Sequence, residues 1–100
     1  MHSVLPPPDG AIENQEAVEL LRGWVIGEDL QLSIAFEAFG GHIEIWGQLL
    51  AETVTHIADA LSREGHGEQQ DLYVRLRDSL LKHLYDPRPG LTGTTQDPIQ

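Results

Sequence analysis

One hundred residues is the size of one small domain, and a composition 40% hydrophobic and 22% charged lies near globular averages, which argues against wholesale disorder. Sixteen acids against six bases leave a formal charge of -10, so the chain lacks the basic patch that nucleic acid or an anionic membrane surface requires. There is no cysteine, which excludes disulfides, thiolate metal sites and cysteine nucleophiles together.

The acidity is unevenly spread. From Asp9 to Asp59 ten acids face a single base, Arg22, whereas from residue 60 to 90 five acids are matched by Arg63, Arg75, Arg77, Lys82 and Arg88. A one-sided acidic field serves solubility first, and offers a docking face for a basic partner or a decoy for a nucleic-acid binder second.

Residues 1–10 carry three consecutive prolines followed by Asp9-Gly10, which predicts an extended lead-in. They show neither the basic region nor the apolar run of a secretory signal. No other stretch approaches the ~20 apolar residues of a membrane span, so the cytoplasm is the expected location. A short helix is expected from Glu13 to about Leu21, with Asn14 as N-cap, acids in the first turns and Ala17, Val18 and Leu21 on one face.

The pattern changes at Gly23. Trp24-Val25-Ile26, the link Gly27-Glu28-Asp29, and then Leu30, Leu32, Ile34 and Phe36 alternating with polar or small residues predict a β-hairpin with one apolar face. Beyond the Phe39-Gly40-Gly41 loop, Trp46, Leu49, Leu50, Thr53, Val54, Ile57, Ala60 and Leu61 recur at three- and four-residue spacing. They predict an amphipathic helix over about Ile43 to Ser62, stopped by Gly65-His66-Gly67. A second long helix is expected over Glu68 to Leu84, with Asp71–Arg75 and Asp78–Lys82 as i,i+4 ion pairs. Its apolar residues do not share one stripe: Leu72, Leu76, Leu80 and His83 make one face, and Val74 and Leu81 lie nearly opposite. Such a helix is either sandwiched in its own domain or shared with a partner.

The expected architecture is therefore α+β: a short N-terminal helix, a two-stranded antiparallel β-hairpin and two long C-terminal helices, packed on one face of the sheet. Residues 11–86 form the single domain, and 87–100 a flexible tail after Asp86-Pro87-Arg88-Pro89-Gly90.

Chemistry is harder to find. Glu52 and His56 stand one turn apart and make a weak metal or acid–base pair, or simply a boundary pair at the edge of the apolar stripe; no third ligand can be named, and no metal site is expected. His42-x-Glu44 lacks the cysteine pair that a zinc deaminase needs. There is no nucleophile elbow, Walker loop or dinucleotide fingerprint, so no catalytic residue and no cofactor is expected. Trp24 and Trp46 are expected to pack against each other in the core, with ligand stacking as the alternative. Arg22 is expected to pair with a nearby carboxylate and fix the first helix, or, if buried, to hold an anionic ligand.

Leu21-Arg22-x-Trp24, the alternating strand, Trp46-Gly47-x-x-Leu50-Ala51 and His56-Ile57-Ala58-x-Ala60 together resemble a family of proteobacterial proteins of similar length, described as a domain of unknown function. The likeness covers about Val18 to Ala60. Glu52 stands where that pattern has an aspartate, and Phe39 near where it often has a tryptophan, both conservative departures. The resemblance implies a bacterial origin and one complete domain, carries no catalytic residue across, and nominates Arg22, Trp46, Gly47 and His56 as positions to test. Gly47 inside a helix costs about 0.8–1 kcal/mol relative to Ala, which suggests the close approach of another backbone.

The expected function is a non-enzymatic protein-interaction or regulatory module that binds an unidentified protein or itself, with Val74 and Leu81 as the candidate interface and neither nucleic acid nor membrane as partner. The alternative is a small-molecule or metal-binding domain built on Arg22, Trp24, Trp46 and His56.

Overall fold

The computed structural model describes residues 4–86 and the strand Thr92–Gln96. Its elements are α1 (Asp9–Glu13), β1 (Leu21–Ile26), β2 (Asp29–Ile34), α2 (Ile43–Arg63), α3 (Gln69–Tyr85) and β3 (Thr92–Gln96). The fold is α+β, with the hairpin and the two long helices where the apolar periodicities place them. The contacts divide the chain into two compact units. One holds α1 and the sheet, and the other, Phe39–Thr92, holds α2 and α3.

The first helix differs from expectation. It lies earlier, at Asp9–Glu13, where the backbone N–H groups of Ala11 and Ile12 bond to the carbonyl of Pro8. Asn14 ends it rather than starting one. Its side-chain oxygen accepts from the N–H of Glu16 at 2.9 Å, and its carbonyl accepts from Ala17 at 3.1 Å. An Asn oxygen can cap a helix or close a turn, and here it closes a turn. Leu21, expected on the face of a helix, is the first residue of β1.

The hairpin turn is one residue tighter than expected, because Asp29 pairs with Ile26 and leaves only Gly27-Glu28 as the loop. Gly27 has φ +64° and no other residue type has positive φ among the described residues, the combination a type II′ turn requires. The register Leu21↔Ile34, Gly23↔Leu32 and Val25↔Leu30 gathers every aliphatic residue of the hairpin but Ile26 on one face. The opposite face carries Arg22↔Ser33, Trp24↔Gln31 and Ile26↔Asp29. A third strand, β3, lies beside β2 and makes the order β1-β2-β3, so β2 is central and β1 is an edge. β3 falls within the stretch read as a tail; residues 87–91 and 97–100 of that stretch lie outside the described residues.

In the helical unit, α3 folds back on α2 across a short connection. α2 ends in a Schellman motif: Gly65, at φ +87°, donates its N–H to the carbonyl of Ser62, and His66 donates to Leu61. α3 starts on Glu68, whose two carboxylate oxygens accept from the N–H of Gln70 at 3.0 and 2.9 Å. The buried residues of the pair lie near these caps. Ala58 is 0% exposed and Leu72 is 7% exposed, the two buried hydrophobic residues among those described. Gly67 has φ +156°, and a methyl group on it would stand in ordinary contact with Leu72 Cγ, at 3.4 Å, over the first core residue of α3.

Candidate functional site

Each side chain singled out by the sequence has a definite place. Arg22 sits on the polar face of β1, and its guanidinium donates to both carboxylate oxygens of Glu19 at 2.8–3.1 Å. The two side chains are 50% and 62% exposed, so this is a surface ion pair and not a buried anion pocket. Glu19 belongs to the extended approach to β1, so Arg22 ties that approach to the strand instead of anchoring a helix. Trp24, half-buried on the same face, pairs in register with Gln31.

Trp46 takes Phe39 as its aromatic partner, edge to face, with ring centroids 5.3 Å apart and an interplanar angle of 74°. That contact pins the loop of Phe39 to the first turn of α2, which otherwise lacks a side-chain cap at His42. Phe39 was not among the sequence candidates, although a lone aromatic just before a helix start is the available signal. Glu52 and His56 are both exposed on α2, and no hydrogen bond joins them. Among the described residues, no group of three or more His, Asp or Glu side chains could hold a metal ion.

Gly47 corrects an expectation. Nothing among the described residues lies within 4 Å of the position its Cβ would take, so no second backbone of that part of the chain passes there. Gly47→Ala is therefore expected to stabilise α2 by about 0.8–1 kcal/mol through helix propensity alone. A thermal melt checks it: the midpoint should rise by about 4–8 °C per kcal/mol in a domain of this size.

In α3, Asp78 is taken by its neighbour Arg77, at 2.9 Å, and not by Lys82. In α2 the i,i+4 pair is Asp59–Arg63, at 2.9 Å. His83 is exposed and its Nδ1 donates to the carbonyl of Ser79 at 2.7 Å, which removes it from the core. Val74 is half-buried and Leu81 is 42% exposed, and both lie away from the row of Leu72 and Leu76.

The helical unit also holds an open cleft of about 450 Å³ at the end where α2 turns into α3, lined by Thr55, Ala58, Glu68, Gln69, Gln70 and Tyr73. Its polar lining is a hydroxyl, a phenol, two amides and one carboxylate already engaged by the α3 backbone, with no cation. Nothing in the sequence marks these residues, because the cleft exists only where two helices separated by a Schellman turn come together.

A family described as a domain of unknown function (DUF5076) matches residues 4–88. The chain belongs to this family. Family membership therefore extends well beyond Val18 to Ala60, the stretch on which the resemblance was read, and takes in α1, the sheet strands β1 and β2, and both long helices. No curated protein matches the chain. Among solved structures, one from the photosynthetic bacterium Rhodopseudomonas palustrus CGA009, named "putative pyruvate dehydrogenase", is similar at 25% identity and a TM-score of 0.69. The likeness covers 96% of this chain and 97% of that one. No helix among the described residues is long and apolar enough to cross a membrane.

Proposed function

We propose that this chain is a non-enzymatic interaction module that docks another protein on the outer face of α3. The observation that carries the reading is the exposure of Leu81, Leu84 and Tyr85 on a helix whose Leu72 and Leu76 already face α2. Apolar side chains on a second helix face gain nothing from water, and their contact with a partner removes that surface at about 25 cal/mol per Å².

A pull-down with the full chain as bait, at low and moderate salt, tests this. The double variant Val74→Asp, Leu81→Asp should lose a stoichiometric partner that the unmodified chain retains, while melting at a similar temperature. If the variant retains every partner and its fold, the docking face is not on α3.

The similarity to a protein named for pyruvate dehydrogenase supports a second reading, in which the chain has a pyruvate-linked role. Amide shifts or a melting shift induced by pyruvate, together with indifference to the α3 substitutions, would put this reading ahead of the first.

A further inference from the structure

β1 is an edge strand whose one protecting charge is Arg22. All six of its residues pair with β2 in unbroken register, so no bulge bends it away. It contains no proline, no lysine and no acid, in a chain that carries sixteen acids. Val25 is 62% and Ile26 55% exposed. An edge of this kind is a template for another strand.

The register fixes which backbone groups point outward. The two-residue turn closes on Ile26 and Asp29, which makes that pair hydrogen-bonded. Alternation along an antiparallel ladder then assigns Trp24↔Gln31 and Arg22↔Ser33 to the same set. The bond from the N–H of Ala35 to the carbonyl of Leu20, at 3.0 Å, continues it. The N–H and C=O groups of Leu21, Gly23 and Val25 therefore face away from β2.

We propose that this edge pairs with β1 of a second copy of the chain, antiparallel about a two-fold axis through Gly23, joining the two sheets into one. The proposal rests on the reading that the chain works by association, and assigns it a second surface with a stated occupant. A second copy is chosen because the edge is self-complementary. With Gly23 opposite the partner's Gly23, Leu21 falls opposite the partner's Val25, and every outward N–H and C=O of the three residues is used. Shifting the register by two residues leaves part of them unpaired.

The side chains agree on both faces. Leu21 and the partner's Val25 extend the aliphatic face, while Leu32, whose Cδ2 lies 3.0 Å from where a Gly23 Cβ would be, covers the gap at the axis. On the polar face Arg22 falls opposite the partner's Trp24, a cation over an aromatic ring. Charge points the same way. Two copies of a -10 chain repel, and within Leu21–Ile26 the one charged residue is the base Arg22, so no acid of one strand opposes an acid of the other there.

Analytical ultracentrifugation of the full chain over a concentration series tests the proposal. The unmodified chain should sediment as a dimer, and Val25→Pro, which removes an outward N–H and leaves the β1–β2 bonds intact, as a monomer with unchanged helical circular dichroism. Because the chain has no cysteine, the pair Arg22→Cys with Trp24→Cys should give a covalent dimer on oxidation that neither single substitution gives. This arm decides the matter if Val25→Pro fails to fold. Leu81→Asp should leave the dimer intact, which separates this edge from the α3 face. An unmodified chain that stays monomeric, a folded Val25→Pro that stays dimeric, or a dimer lost on Leu81→Asp would overturn the proposal.

Discussion

Replacing Ala58 by Asp is expected to unfold the helical pair near neutral pH. Ala58 is the one residue among those described with no solvent exposure, and the carboxylate would stand in the packing of α2 and α3, beside a cleft whose lining holds no cation. Removing an unpaired charge from water costs several kcal/mol even after relaxation, against a total stability of about 5–15 kcal/mol for a native domain. The penalty depends on pH with a definite sign. Burial raises the folded-state pKa of the new carboxyl above its unfolded value, so the charge-related loss is absent below the unfolded value and grows as pH rises through the folded one. Thermal melts at two pH values check it: the gap between variant and parent should be smaller in acid. Ala51→Asp, at an exposed position two turns earlier on the same helix, should change stability by no more than about 0.5 kcal/mol. If the two substitutions behave alike, the helices do not meet at Ala58.

Leu72→Ala is the second large effect. Leu72 is the most buried large side chain described, and truncating a buried leucine costs about 2–5 kcal/mol, part lost transfer energy and part cavity. The lower half of that range applies here, because the cleft lined by Ala58 and Tyr73 opens beside it and water can enter the space left behind. The midpoint of helix melting should fall by about 4–8 °C for each kcal/mol lost. Leu84→Ala, on the same helix but 65% exposed, supplies the contrast and should cost far less. A similar loss at both positions would mean that α3 packs along its whole length and that the exposed face proposed for docking is covered.

The parts of the fold legible in the sequence are those set by local periodicity. The alternation from Leu30 to Ile34 and the three- and four-residue recurrence from Trp46 to Leu61 led to β2 and α2 within a residue or two of their observed ends. Gly65-His66-Gly67 marked a stop, and the structure shows why: Gly65 supplies the left-handed residue of the Schellman motif. Asn14 misled because its oxygen serves a turn as well as a helix start, and the five residues from Ala17 to Leu21 are too few to distinguish the two periods. β3 was invisible because Thr92–Gln96 has neither apolar alternation nor a neighbouring turn signal, and its strand character comes from lying beside β2.

The candidate site divides in the same way. The residues Arg22, Trp46 and Leu81 could be named in advance, since a lone base among acids, a large aromatic and a misplaced leucine stand out by type. Their partners could not. Glu19, Phe39 and the open surroundings of Gly47 are facts of tertiary placement, as is the meeting of Thr55 with Gln70 and Tyr73 in one cleft.

By itself, then, the sequence determined the α+β class, the extent of the long helices, the acidic field and the absence of thiol chemistry, because each follows from composition or from a repeat a few residues long. Only the tertiary structure decided that β1 is an edge, that Ala58 and Leu72 are the buried residues of the helical pair, and that Leu81 is 42% exposed. Those depend on which strand lies beside β2 and on how α3 is rotated against α2, and both are set by contacts between residues far apart in the chain.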